Sequence, residues 1–180
     1  MKPGILVLLC GWMCAAALAA GPAPSVPATE LAAAMRLDEF LARLTNQLAA
    51  SANQKLIDSP DPVPCLVPFS AAEFRDDAPR LLDALFTREE IVRGLKYYRS
   101  DDGRRFVEFT LEFLEGRAAG RAPAFTLTRH EQASLKAFKR SRAGAILASP
   151  LRIAGSNAAK QILREQYGAV PTRCPQPERA

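Results

Sequence analysis

Residues 87–103 of this chain recur without a gap at 128–144, with six identities at matched positions. The first copy reads Thr87-Arg88-x-Glu90, six residues, then Tyr97-x-Arg99-Ser100-x-x-Gly103. The second reads Thr128-Arg129-x-Glu131, six residues, then Phe138-x-Arg140-Ser141-x-x-Gly144. Average residue usage would give about one identity in a random pairing of this length. Any fold must therefore contain one local structure twice, and the matched letters say which. A Thr followed three residues later by Glu is a capping box: the hydroxyl accepts an orphan backbone N–H, and the carboxylate reaches back to the cap's own N–H. Ser100 and Ser141 then stand where the N-cap of a second helix belongs. Each copy reads as helix, turn, helix. Gly103 and Gly144 fall in the first turn of that second helix, where glycine costs about 1 kcal/mol against alanine. A glycine present twice at that cost implies a backbone passing where a Cβ would sit.

The flanks are helical as well. Leu37, Leu41, Leu44 and Leu48 recur at spacings of four, three and four. This is one apolar stripe on an amphipathic helix expected over 29–57. Prolines at 60, 62, 64 and 68 end it. Ser70 with Glu73 is a further capping box, and Pro79 suits the first turn of a short helix ending at Leu85. In the first repeat Ile91, Leu95 and Tyr98 share a face, followed by Phe106, Phe109 and Phe113 on the next helix. The second copy is poorer, anchored by Leu135 and Phe138, and Pro150 interrupts its second helix. Ala158, Ile162 and Leu163 resume the pattern, and Gly168 is a natural stop. No alternation of strand length appears. The expected fold is all-α: a small helical bundle around two related helix–turn–helix units, spanning 69–168, with an irregular Pro-rich loop and C-terminal tail.

The N-terminus has a different purpose. Lys2, an apolar run from Gly4 to Leu18 and the small-x-small triplet Ala17-Leu18-Ala19 form a secretory signal peptide over 1–19. The apolar run is short for a bilayer span, so no transmembrane segment is expected after cleavage. Residues 20–28 read as a Pro/Ala-rich linker. Cys10 and Cys14 leave with the signal, and Cys65 and Cys174 remain as an even pair in an exported chain, which makes a disulfide the default. That bond would tie the tail, 169–180, to the Pro-rich loop. Closing a loop of about 100 residues is worth roughly 4.7 kcal/mol in chain entropy. A periplasmic or secreted location follows from the same features.

Charge is unevenly spread. Residues 20–65 and 66–118 each carry a net charge of −2, whereas 119–180 carry eleven basic and three acidic side chains, net +8. The surplus lies at Lys136, Lys139, Arg140, Arg142, Arg152, Lys160 and Arg164. These form either a solvated face or a surface for an anionic envelope partner, whether a protein or a surface polymer. Nucleic acid fits poorly with export, and no binding motif of that class is present. Catalytic signals are sparse. His130 is the only histidine, no nucleophile elbow exists, and no metal-ligand spacing is seen. Glu89/Glu90 and Glu112/Glu115 are acidic pairs of the kind glycoside cleavage needs, but such spacings usually mark solvated helix faces. No catalytic residue, cofactor or metal is assigned.

The junction residues resemble those of a family of small exported bacterial proteins, a domain of unknown function. Its members carry Phe/Leu-Thr-x-x-Glu, then Phe-Tyr-x-Ser-Pro-x-Gly, where two helices meet. Here Phe86-Thr87-x-x-Glu90 with Tyr97-Tyr98-x-Ser100-x-x-Gly103 is similar, as is Leu127-Thr128-x-x-Glu131 with Phe138-x-x-Ser141-x-x-Gly144. The likeness covers about residues 80–147. Asp101 and Arg142 stand where the family has proline, which implies a looser turn. Membership implies a helical periplasmic domain and brings no catalytic residues. The expected function is that of a non-enzymatic binding or interaction module of the cell envelope. An inhibitor or immunity-type protein for a periplasmic enzyme is the first alternative, and an envelope-polymer hydrolase the second.

Overall fold

The structure is a computed structural model that describes residues 23–56 and 68–168. The expected signal peptide, Cys65, Cys174 and the tail after 168 lie outside the described residues. Those described are all-helical, with nine α-helices, one 3-10 turn and no strand. The order is α1 (Val26–Met35), α2 (Leu37–Leu56), the 3-10 turn (Ala71–Phe74), α3 (Asp77–Leu85), α4 (Arg88–Tyr98), α5 (Asp101–Ala118), α6 (Arg129–Phe138), α7 (Arg142–Leu147), α8 (Pro150–Ala154) and α9 (Asn157–Gly168).

The single helix expected over 29–57 is two helices, and the first begins inside the expected linker. Ser25 is the N-cap of α1, its hydroxyl accepting from the Ala28 N–H at 3.3 Å, with Pro27 in the first turn. Arg36 then takes a left-handed conformation, φ 49° and ψ 44°. The reason is a change of phase in the apolar stripe. Ala28, Leu31, Ala32 and Met35 are buried from α1, and Leu37, Phe40 and Leu41 from α2. In one continuous helix, positions 35 and 37 would point about 200° apart. One left-handed residue redirects the chain so that both stripes reach the same core. The expected leucine stripe is buried only at its start: Leu37 and Leu41 are inside, Leu44 is half-buried and Leu48 is exposed.

That core is continuous from α1 to α9. Helix α1 packs on α3 and α4, and α2 packs on the 3-10 turn and α5. Asn46 joins two of these layers: its amide donates to the Phe69 carbonyl at 2.9 Å and its oxygen accepts from the Phe69 N–H at 2.7 Å. Gln47 similarly donates to the Leu114 carbonyl at 2.7 Å.

The two repeats are α4–α5 and α6–α7, and they embrace reciprocally. The second helix of the first unit packs on the first helix of the second unit (α5 on α6), and α4 packs on α7 in exchange. They differ in length. Helix α5 has 18 residues and α7 only six. Pro150 lacks the N–H that would continue α7 and pushes Ser149 out of helical geometry, to φ −137° and ψ 78°. Phe109 stands at the matching position of the first unit, and α5 runs straight through it.

Candidate functional site

The repeated residues build two matching corners. Thr87 accepts from the Glu90 N–H at 3.3 Å, and Glu90 Oε2 accepts from the Thr87 N–H at 3.0 Å. In the second unit the corresponding distances, between Thr128 and Glu131, are 3.3 and 2.6 Å. At each turn a serine does double duty. Ser100 Oγ donates to the Tyr97 carbonyl at 2.6 Å and accepts from the Gly103 N–H at 3.1 Å. Ser141 Oγ donates to the Phe138 carbonyl at 3.2 Å and accepts from the Gly144 N–H at 3.0 Å. This geometry explains the glycines. A Cβ on Gly103 would lie 2.1 Å from the Tyr97 oxygen, and one on Gly144 would lie 2.0 Å from the Phe138 oxygen. The backbone met there is the last turn of the unit's own first helix, folded under the start of the second.

Where the units meet, equivalent residues face one another. The rings of Tyr97 and Phe138 stack with centroids 4.1 Å apart and planes 7° from parallel. Tyr98 stands edge-on to both, 5.3 Å from Tyr97 and 5.9 Å from Phe138. Its hydroxyl donates to the Leu147 carbonyl at 2.7 Å, so a side chain of the first unit closes a backbone acceptor of the second. Burial pushes the Tyr98 phenol far above its ordinary pKa. The Tyr97 phenol is pushed up to about 12, first by burial and then by the nearby carboxylates of Asp102 and Glu131. Its oxygen is buried without a hydrogen-bond partner among the described residues.

Charges also cross the junction in exchange. Arg142 of the second unit donates to both Glu90 oxygens, at 2.7 and 3.0 Å. Glu131 lies 3.9 Å from Arg105 of the first unit. His130, the sole histidine, is exposed, with Nε2 3.5 Å from an Asp102 oxygen. The Glu90 carboxyl sits below the usual carboxylate range, held there first by the Thr87 backbone N–H and then by Arg142.

The seven expected basic residues therefore separate. Lys136, Lys139, Arg140, Arg152, Lys160 and Arg164 are exposed and form no ion pair among the described residues. Arg142 does not belong with them, because it is committed to Glu90 within the fold. Of the acidic pairs, Glu90, Glu112 and Glu115 are likewise occupied, and Glu89 is exposed. Glu112 accepts from Arg121 and from the Ala124 N–H, and Glu115 pairs with Arg43. A shallow cavity of about 380 Å³ beside α1 is bordered by Arg36, Arg99 and Arg104. Each of these is balanced by an acid: Glu39, Glu30 and Asp101 respectively. Among the described residues no group of three or more His, Cys, Asp or Glu side chains is placed to hold a metal ion. None of the helices among them is long and apolar enough to cross a membrane.

Sequence reasoning missed Tyr98 as a bridge between the units, because a buried tyrosine announces its hydrogen bond only once its acceptor is known. It also missed Arg142 as a clamp, since a +8 segment gave no reason to single out one arginine. No family model, curated protein or solved structure matches the chain.

Proposed function

We propose that this protein is an exported, periplasmic, non-enzymatic helical module of the cell envelope that binds an anionic partner through its C-terminal third. The observation that carries the reading is the separation of the basic residues. Elsewhere in the fold, arginines such as Arg36, Arg43, Arg99, Arg104 and Arg105 are matched by neighbouring carboxylates. Exposed cations without an ion pair among the described residues, such as Arg80, Arg88, Arg93 and Lys96, stand in a segment with a surplus of acids, residues 66–118 at net −2, whereas 119–180 carry net +8. Lys136, Lys139, Arg140, Arg152, Lys160 and Arg164 are left exposed without a carboxylate partner among the described residues. Exposed like charges left uncompensated repel one another and favour an anionic counterpart, with an affinity that falls as salt rises. Lys136, Lys139 and Arg140 are spaced to share one side of the end of α6 and form the centre of the surface. The junction of the two units serves as the rigid support and takes no part in chemistry.

The test is capture on an immobilised anionic polysaccharide at two salt concentrations. The triple reversal Lys136→Glu, Lys139→Glu, Arg140→Glu should remove salt-sensitive capture while circular dichroism stays unchanged. Equal capture of the triple variant and the parent would rule out the basic surface. Cell fractionation checks the location: recovery in the cytoplasm with residues 1–19 intact would rule out export.

A further inference from the structure

We infer that the groove between α5 and α8 is a binding site for a single-chain amphiphile, an unbranched alkyl chain ending in a carboxylate. Phe106, Phe109 and Phe113 line it from α5, Pro150 and Leu151 from α8, and Phe40 of α2 lies beneath. Its volume is about 190 Å³. Two of the few large apolar side chains that remain open to solvent are both here, Phe113 at 45% and Leu151 at 48% exposure. The groove exists because Pro150 breaks the second unit: α7 stops, α8 sets off in a new direction, and Phe113, the last ring of the aromatic stripe on the longer α5, is left uncovered. Sites of this kind, apolar and set between helices with few polar groups, are where bundles take small ligands.

The charge at one border selects the head group. Arg117, near the end of α5, also lines the groove. The three acids nearest before it on α5 are engaged: Glu108 with Arg105, Glu112 with Arg121 and Glu115 with Arg43. Arg117 has no carboxylate partner among the described residues, so the groove offers one guanidinium at the border of an apolar channel. The walls select the chain. Thr110 Oγ already donates to the Phe106 carbonyl at 2.9 Å, Ser149 adds a single hydroxyl, and the remaining aromatic and aliphatic side chains have no hydrogen bonds to give. A peptide laid in the groove would bury backbone amides without partners, which is strongly unfavourable. An alkyl chain has no such groups, and its carboxylate can take the fork of Arg117.

The site shares no residue with the basic surface, so the two readings stand or fall separately. Calorimetric titration of the purified protein with octanoate should give saturable binding, and octanol should bind more weakly. Arg117→Ala should weaken octanoate about tenfold and leave octanol unchanged, as loss of a charged hydrogen bond requires. Leu151→Glu, at an exposed position, should abolish both, with Phe113→Asp as the second variant if the first fails to fold. The triple reversal on α6 should leave octanoate binding intact. Absence of saturable octanoate binding would overturn the inference, as would indifference to Arg117→Ala and Leu151→Glu together. Binding of a short leucine-rich peptide in place of octanoate would overturn it too, and would make the groove a protein-docking surface.

Discussion

In the first unit, α4 buries Ile91, Leu95 and Tyr98, and α5 buries Phe106, Val107, Leu111 and Leu114. In the second, α6 has no buried residue and α7 contributes Ala143, Gly144 and Leu147. Lys136 occupies the position of Leu95, and Gln132 that of Ile91. Yet the corners coincide, cap for cap and within a few tenths of an ångström in most of their hydrogen bonds. The corner is thus a local device. Serine, glycine and the last carbonyl of the preceding helix determine it, and it forms whether the adjoining helix faces the core or the solvent. What differs is how far the second helix continues: Pro150 stops it in one unit, and Phe109 at the matching position lets it run on in the other.

The sharpest way to break this comparison is a valine at each glycine. A branched side chain there meets a backbone carbonyl that cannot move without unwinding the turn. Gly103→Val and Gly144→Val should each destabilise by at least about 3 kcal/mol in chemical denaturation. A tolerated valine at 144 beside a damaging one at 103 would show that the corners are not equivalent. The flanks should respond unequally. Ile91→Ala should cost about 3 kcal/mol and Leu135→Ala about 1 kcal/mol, because the first leaves a cavity in the core and the second lies on a half-buried face. Equal losses would mean that α6 carries more of the packing than its exposure indicates.

Removal of the caps should bring the units back into agreement. Thr87→Ala and Thr128→Ala should each lower stability by about 1 kcal/mol. The crossed ion pair is expected to be smaller still. A double-mutant cycle on Glu90→Gln and Arg142→Gln should return a coupling of about 0.5 kcal/mol, since the arginine is mostly exposed. Zero coupling would reduce that contact to an incidental one. Alkaline titration sharpens the junction itself. The Tyr97 phenol is raised to about 12 in the fold, so the unfolded chain loses this proton first. The stabilising contribution is complete below about pH 10 and disappears as pH rises through the folded value. Tyr97→Phe should flatten that decline in the melting temperature, and an unchanged alkaline slope would remove Tyr97 as its source.

Much of this architecture was legible in the letters because its signals are local. Thr-x-x-Glu and Ser-x-x-Gly report on three or four consecutive residues, and helix caps need no tertiary partner. The close approach at Gly103 and Gly144 could be read for the same reason, although the backbone that approaches comes from the same unit. The break at Arg36 was not legible. No Gly, Asn or Pro marks it, and only the phase of the apolar stripe on either side, judged against a shared core, requires it. The exchanged packing of the units, the Tyr98 bridge and the commitment of Arg142 to Glu90 depend on residues about 50 positions apart, a distance at which periodicity carries no information. The groove beside Phe113 was hidden likewise: the sequence places Phe106, Phe109 and Phe113 on one face but does not say where the covering helix ends.

The most direct measurement is amide hydrogen exchange at Gly103 and Gly144, each of which donates to a serine hydroxyl in the turn. Both amides should be protected relative to an open chain, and Ser100→Ala and Ser141→Ala should each release only the amide of its own unit. A Gly144 amide that exchanges as freely as an unstructured one, while Gly103 stays protected, would mean that the repeated letters do not build the same corner twice.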